Sequence, residues 1–328
     1  MKFVYVLVSS ESDYYYEQCI ISICSLRRQV SDANVIVLAD DVTYNGLVGK
    51  RAAIFQMAEV HSVDFDKAIS PRVRSRLLKV SVRRRIEGRF MFVDTDTVFC
   101  ENIAWPKQKI DIGMVLDRHL YFSDFWNRSF HDNNAKKLSF SSNYDNKHFN
   151  TGIILVSDSE NAFSFYKLWE DLYKQSIAKG IYTDQASANE ANSRMNGIIK
   201  ELDGSWNVQP EYGLKFISEA KVIHYSGYRP SDGMKGIRYT IPFELCDEQY
   251  FLDTRKEGKP SLGVEKILDN PRAAFKDSYI IPNDCSAYYL VSSNAFRALR
   301  YIYAKCPGFF KVIERISSLF GKCVKGKE

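Results

Sequence analysis

The sequence is short of several things, and each shortage excludes a class of protein. No apolar run reaches the roughly 20 residues that a helix needs to span a bilayer. Cysteine occurs seven times, an odd number, at positions 19, 24, 100, 246, 285, 306 and 323, with no C-x-x-C pair. That spacing argues against a secreted disulfide framework and a structural zinc site, and reduced thiols in a cytoplasmic chain are expected. Glycine is missing from Ser9-Ser10-Glu11-Ser12, the loop after the first apolar run, so the phosphate-cradling turn of a sugar nucleotidyltransferase is lacking. Internal repeats and low-complexity segments are lacking too. The opening MKFVYVLVSS carries one Lys and a short apolar stretch, and Glu11 and Asp13 follow at once. It reads as a first strand, not a signal peptide.

What is present is an ordinary globular composition: 328 residues, 45% apolar and 26% charged, enough for a sizeable core in one large domain or two modest ones. The net charge of +5 is unevenly placed. From Val291 to Glu328 eight Lys/Arg face only Glu314 and Glu328, a local +6 that leaves the body slightly negative. Such a tail suits an anionic surface, and the body has no nucleic-acid-binding character.

Short apolar runs alternate with amphipathic stretches along the first two thirds of the chain. Lys2 to Val8, Val35 to Leu38, Glu59 to Val63, Phe90 to Val93, Ile110 to Leu116, Phe149 to Val156 and Val222 to Tyr225 read as strands. Helices are expected through Tyr16, Ile20, Ile23 and Leu26, over Gly46 to Ala58, from Pro71 to near Gly88, over Glu160 to Ala178, and after the Thr183-Asp184 helix-start pair. The polar stretch Ser123 to Lys147 reads as a long surface loop or lid. The pattern predicts an α/β fold with a mainly parallel sheet flanked by helices, ending in a helical tail.

The strongest chemical signal is Asp94-Thr95-Asp96. Residues two apart in an extended segment point the same way, so both carboxylates face one point. They stand where a buried strand gives out, the usual place for ligands in open α/β sheets. Carboxylates this close repel unless a cation or a proton lies between them. A hard divalent ion, Mn²⁺ or Mg²⁺, accepts carboxylate and phosphate oxygens together. The string Asp94-Thr95-Asp96-Thr97 also fits a haloacid-dehalogenase-type phosphatase, with Asp94 as nucleophile. That motif normally opens its fold, whereas about ninety residues precede it here, and no downstream Lys and paired-acid motif stands out.

The run RSRLLKVSVRRRIEGRFMFVDTDTVF resembles the helix-strand-DxD core of GT-A glycosyltransferases and is most similar to glycosyltransferase family 8 and its bacterial relatives. FNTGIILV at 149–156, TDQASAN at 183–189 and VIHYSG at 222–227 resemble the family's Asn-x-Gly strand, Asp-Gln helix start and late His motif, in the expected order. The resemblance spans roughly residues 2 to 230. It implies a metal-dependent hexosyltransferase that uses a nucleotide-diphosphate sugar, UDP-linked by expectation, and a saccharide or lipid-linked acceptor, with retention at the anomeric carbon. Surface polysaccharide assembly is the implied setting. Asp94, Asp96 and His224 would bind the metal. Arg76 would approach the donor phosphates or sugar. Asn150 and Gly152 would line the sugar pocket, with Thr95 and Gly227 also at the donor. Asp184 would hydrogen-bond the sugar hydroxyls, and Gln185 would sit on the face opposite the leaving phosphate. Leu7, Ser9 and Asp40 would edge the base and ribose. Where the family reads Lys-Pro-Trp this chain reads Gly227-Tyr228-Arg229-Pro230, so Arg229 would replace the phosphate-binding Lys.

Blander readings stand beside these. His224 in an apolar strand could be a satisfied core residue, and Arg76 a solvated helix charge among Arg72, Arg74, Lys79 and Arg83 to Arg85. The aromatics of Phe163, Phe165, Tyr166, Trp169 and Tyr173 read as core. The expected division is a GT-A domain at 1–240, an extension at 241–290 and a basic amphipathic tail at 291–328. In the tail Phe296, Leu299, Ile302 and Tyr303, then Phe309, Ile313, Ile316 and Phe320, recur at helical spacing with basic neighbours, broken at Pro307-Gly308. This fits an interfacial helix that holds a cytoplasmic enzyme to the inner face of the membrane.

Overall fold

Side chains alternate across a strand, so a run that is apolar at every position is buried on both faces. From Phe3 onward β1 (Lys2–Leu7) is such a run. Val4 and Val6 pack with Phe90, Phe92 and Ile154 on one side, and Phe3, Tyr5 and Leu7 pack with Met91, Val93 and Ile153 on the other. The computed structural model describes residues 1–125, 127–141, 144–225, 243–275 and 293–325. Within them this two-sided burial organises a mixed α/β fold whose central sheet is mainly parallel and flanked by helices.

The remaining strands are β2 (Asn34–Asp40), β3 (Glu59–Val63), β4 (Phe90–Val93), β5 (Thr97–Phe99), β6 (Ile112–Leu116), β7 (Phe149–Val156), β8 (Ile199–Glu201) and β9 (Val222–His224). The central sheet runs β3-β2-β1-β4-β7-β6-β8, and β5 and β9 form a separate pair. β1 to β4 are mutually parallel, while β7 is antiparallel to both β4 and β6. Val93 pairs with Ile153, which brings the end of β4 beside Gly152. Thr97 pairs with His224, which ties the turn after β4 to the last strand.

α1 (Tyr15–Gln29) covers the Phe3 side, and α2 (Asp41–Asn45) follows β2. α3 (Pro71–Val80) lies against the Val4 side, and α4 (Arg128–Leu138) follows β6. α5 (Glu160–Ala178) and α6 (Gln185–Arg194) complete the Val4 side. On α5, Phe165, Tyr166, Trp169, Leu172 and Tyr173 are buried, as expected of core aromatics, whereas Phe163 is exposed. Burial of a residue such as Phe165 or Leu172 contributes roughly 1.5–3 kcal/mol over an exposed position.

Two expected helices and one expected loop differ in the structure. The helix over Gly46 to Ala58 is instead α2, ending against Gly46, followed by a 3-10 turn at Gly49–Gln56. Asp40 fixes the earlier start, because its carboxylate accepts from the Thr43 amide at 3.0 Å. The Pro71 helix stops at Val80, not near Gly88. Beyond it the chain wraps around the buried Arg83 guanidinium, which donates to the carbonyls of Ile86, Gly88 and Ser157. The polar stretch 123–147 is not a bare loop: its described part holds α4, which ends at Ser139 in the left-handed region at φ 56°.

Residues 243–275 carry α7 (Glu248–Glu257) and α8 (Leu262–Asp269). Phe243, Leu245, Phe251, Val264 and Ile267 join Ile21, Val98, Val208 and Ile223 in a third core, so this segment packs onto the body. The tail forms α9 (Asn294–Lys305) and α10 (Pro307–Lys325), broken where Pro307-Gly308 was expected to break it. Tyr303 and Phe310 meet edge to face across that break. Among the described residues no helix is long and apolar enough to cross a membrane.

Candidate functional site

β4 ends at Val93 because its apolar run ends there, and the backbone turns through Asp94-Thr95-Asp96 into β5. The Asp94 amide donates to the Gly152 carbonyl at 2.8 Å, and the Tyr225 amide donates to the Asp96 carbonyl at 3.1 Å. The Thr97 hydroxyl donates back to the Asp94 carbonyl at 2.9 Å. The turn is therefore anchored on β7 and at the end of β9. This brings Asp94, Asp96 and His224 together, each offering one ligand atom, all within 4.8 Å of one another. Two carboxylates and an imidazole suit a divalent cation of the Mn²⁺ or Mg²⁺ kind.

Gly152 makes room for the imidazole. A Cβ at this position would lie 2.3 Å from His224 Cε1 and 2.5 Å from Nδ1. No side chain larger than hydrogen fits without moving the ring.

Two cations close the other side. Lys79, which looked like one of many helix charges, is buried, with its Nζ 3.1 Å from Asp94 Oδ1 and 3.4 Å from Asp184 Oδ2. Arg76 lies 3.2 Å from Asp184 Oδ1 and keeps about a third of its side chain exposed. Asp94, Asp96 and Asp184 thus face Lys79 and Arg76, and His224 Nε2 lies 3.2 Å from Asp96 Oδ1.

The titration shifts follow. Burial pushes the Asp94 carboxyl up, Lys79 opposes it, and nearby Asp96 adds to the rise. Burial acts upward on Asp96 too, but the charge and hydrogen bond of His224 outweigh it and the net shift is down. His224 is pushed down by burial, yet Asp96 more than compensates and raises it. Asp184 is raised by burial and lowered by more through Lys79 and Arg76, to about 2.

Asp184 was expected to start α6 as a cap. It occupies the cap position, but its side chain caps nothing. Instead its Oδ2 accepts from Thr151 Oγ1 at 3.0 Å, and its carbonyl accepts from Trp169 Nε1 at 3.0 Å. The carboxylate is thereby turned toward Lys79 and Arg76. Gln185 donates to the Phe149 carbonyl at 3.3 Å and lines a cavity with Phe130, His131, Phe140, His148 and Asn189. Asn150 Oδ1 accepts from the Gly152 amide at 2.8 Å, next to His224. Thr95 is buried between the two acids.

The residues expected to edge the base make contacts within the chain. Leu7 is fully buried core. Asp40 is fully buried, spent on capping α2 and on an ion pair with Arg74 at 2.6 Å, so it has no face free for a ligand. Ser9 donates to Asp13 at 2.7 Å and accepts from Arg51 at 2.8 Å. Gly227 and Arg229 lie outside the described residues.

No family model matches the chain. No curated protein matches it in sequence either. Among solved structures it is similar to mouse xyloside xylosyltransferase 1 in its apo form, at 15% identity and TM-score 0.43, covering 68% of this chain and 96% of that one. It is similar to the galactosyltransferase LgtC in complex with donor and acceptor sugar analogs, at 13% identity and TM-score 0.45, covering 69% and 87%. It is also similar to an active-site mutant of LgtC, at 12% identity and TM-score 0.47, covering 78% and 96%.

Proposed function

We propose that this chain is a metal-dependent GT-A glycosyltransferase that moves a sugar from a nucleotide-diphosphate donor to an acceptor. The observation that carries the reading is the convergence of Asp94, Asp96 and His224 at the end of β4, with Lys79 and Arg76 beside them. A divalent cation, Mn²⁺ or Mg²⁺, held there would supply Lewis-acid charge for the leaving diphosphate. Arg76, with part of its guanidinium exposed, adds charge for the phosphates. Lys79 holds Asp94 and Asp184 apart at fixed distances, so the acids do not reorganise as charge develops. Asp184, ionised at neutral pH, accepts hydrogen bonds from donor sugar hydroxyls. Asn150 and Gly152 border that sugar, Gln185 faces it opposite the leaving group, and Ser9 lies nearest the base.

The finer reading is a hexose carried on UDP and transferred with retention, since among the described residues no Asp or Glu stands out as the base an inverting enzyme needs. The acceptor is a saccharide or lipid-linked sugar, in surface polysaccharide synthesis. The tail would hold the enzyme on the inner, anionic face of a membrane, with body residues 1–240 carrying the chemistry. Tyr301, Tyr303, Phe309, Val312 and Ile316 are exposed apolar residues on α9 and α10, among Arg297, Arg300, Lys305, Lys311 and Arg315.

A panel of nucleotide sugars, scored for Mn²⁺-dependent release of nucleoside diphosphate, tests the reading. Release from one donor, with NMR of the first product showing retained configuration, is expected. Release of phosphate from phosphomonoesters, with no donor consumed, would replace the transferase by a phosphatase.

A further inference from the structure

Asn207, which no sequence signal singled out, is fully buried at the end of the 3-10 turn Gly204–Asn207. Its neighbour Val208 is laddered to the strand that carries His224: the Val208 amide donates to the Val222 carbonyl and the His224 amide to the Val208 carbonyl, both at 2.8 Å. The Asn207 side chain is therefore held rigidly against the imidazole. Its Oδ1 lies 3.1 Å from His224 Nδ1, and its Nδ2 donates to Asn150 Oδ1 at 2.9 Å.

Amide oxygens and nitrogens are interchangeable until something of fixed character orients them. Here both ends are fixed. The Gly152 backbone N–H can only donate, and it donates to Asn150 Oδ1 at 2.8 Å. The Asp117 carboxylate can only accept, and it accepts from Asn150 Nδ2 at 2.9 Å. Asn150 has a single orientation. Asn207 must then offer its NH₂ to Asn150 Oδ1, because the reverse would set two oxygens face to face. That leaves only the Asn207 oxygen for His224, so Nδ1 must carry the hydrogen. Nε2, the nitrogen beside Asp96, is left with its lone pair whenever the ring is neutral.

We propose that Asn207 is a positioning residue: through the chain Asp117–Asn150–Asn207 it fixes His224 as the Nδ1–H tautomer and aims Nε2 at the metal position between Asp94 and Asp96. The inference rests on the metal reading above, which it deepens. A hydrogen-bond partner behind a ligating imidazole typically changes metal affinity by about 10–100-fold. Asn207→Leu keeps the size and loses the acceptor against Nδ1–H.

Two measurements decide. First, NMR of ring-labelled histidine in the metal-free protein at alkaline pH reports each tautomer; the chain has only 5 histidines, and His224→Gln identifies the signal. Nδ1–H at His224 is expected in the wild type, and a tautomer mixture in Asn207→Leu. Nε2–H in the wild type overturns the proposal without any Asn207 variant needing to fold. Second, Mn²⁺ binding is followed by electron paramagnetic resonance. Asn207→Leu is expected to bind about 10-fold or more weakly. Wild type that binds no Mn²⁺ sinks the metal reading and the relay's purpose with it. Equal affinity in wild type and Asn207→Leu overturns the relay alone and leaves the metal reading standing.

Discussion

Gly152 sets the closest tolerance at the residue scale, since an added Cβ would fall 2.3 Å from the His224 ring. Gly152→Ala is expected to displace the imidazole and weaken Mn²⁺ binding by about tenfold, comparable to losing an outer partner of a ligand. Titration calorimetry checks this, and unchanged affinity would mean the ring is not a ligand. Asp94→Asn and Asp96→Asn each remove a charged oxygen while keeping shape, and each is expected to lower turnover on the order of 10²-fold or more. Near-normal rates in both would remove the acid pair from the chemistry. A separate prediction concerns His148, buried beside Phe122 and pushed down by that burial to about 3. The folded chain then binds fewer protons at this ring than the unfolded one, whose histidine titrates near 6.5. The contribution of this ring to stability is therefore fully present above that pH and is lost as pH drops toward 3, by up to about 1.4 kcal/mol per unit. Urea melts between roughly pH 7 and pH 5 should show this slope, and His148→Phe should reduce it while leaving the part that His119, held down to about 4 by its own burial, contributes; an identical slope in the variant would assign the acid sensitivity elsewhere. The two acids of the turn were legible because a four-residue apolar strand runs straight into them. Lys79 and Asn207 were not. Lys79 sits in a helix crowded with basic residues, and only packing shows which of them turns inward. Asn207 lies in a short turn with no periodicity to mark it.

At the scale of elements, the two-sided apolar runs of β4 and β7 and the one-sided apolar stripe of α5 were legible almost to the residue. β5 and β8, of three residues each, were not, because so short a strand has no period of its own and exists through its partners. α4 was missed for another reason: only Leu138 is buried, so most of its length carries no apolar stripe. The tail helices follow the expected pattern, and their predicted consequence is electrostatic. Each Lys or Arg near an anionic leaflet contributes about 1 kcal/mol, so several together give reversible attachment. Full-length protein should sediment with acidic vesicles and not neutral ones, and a chain ending at Ala287 should stay in solution. Equal behaviour of the two chains would leave α9 and α10 as ordinary surface helices.

At the scale of the whole molecule, the last described core segment is strapped to the first helix. Arg255 pairs with Glu17 at 2.8 Å, Arg28 pairs with Glu265 and Asp269, and Tyr14 donates to Glu248 at 2.6 Å. These contacts join residues more than two hundred positions apart. Composition and periodicity foretell the elements on each side of such a seam but not the seam itself, because they say nothing of which distant faces meet.

The pairing of β5 with β9 closes one more long circuit, since Asp94 and His224 stand roughly 130 residues apart along the chain. An ion shared between them would behave in polymer terms as a reversible cross-link, one that can be added or withdrawn without touching a covalent bond. The unfolded chain has no such meeting point, so Mn²⁺ at about 100 times its dissociation constant should raise folding stability by about 2.7 kcal/mol, and a chelator should take it away. Thermal melts of wild type and Asp96→Asn, with and without Mn²⁺, would read the cross-link directly: a shift in the first and none in the second is expected, and equal shifts in both would mean the ion ties some other part of the chain.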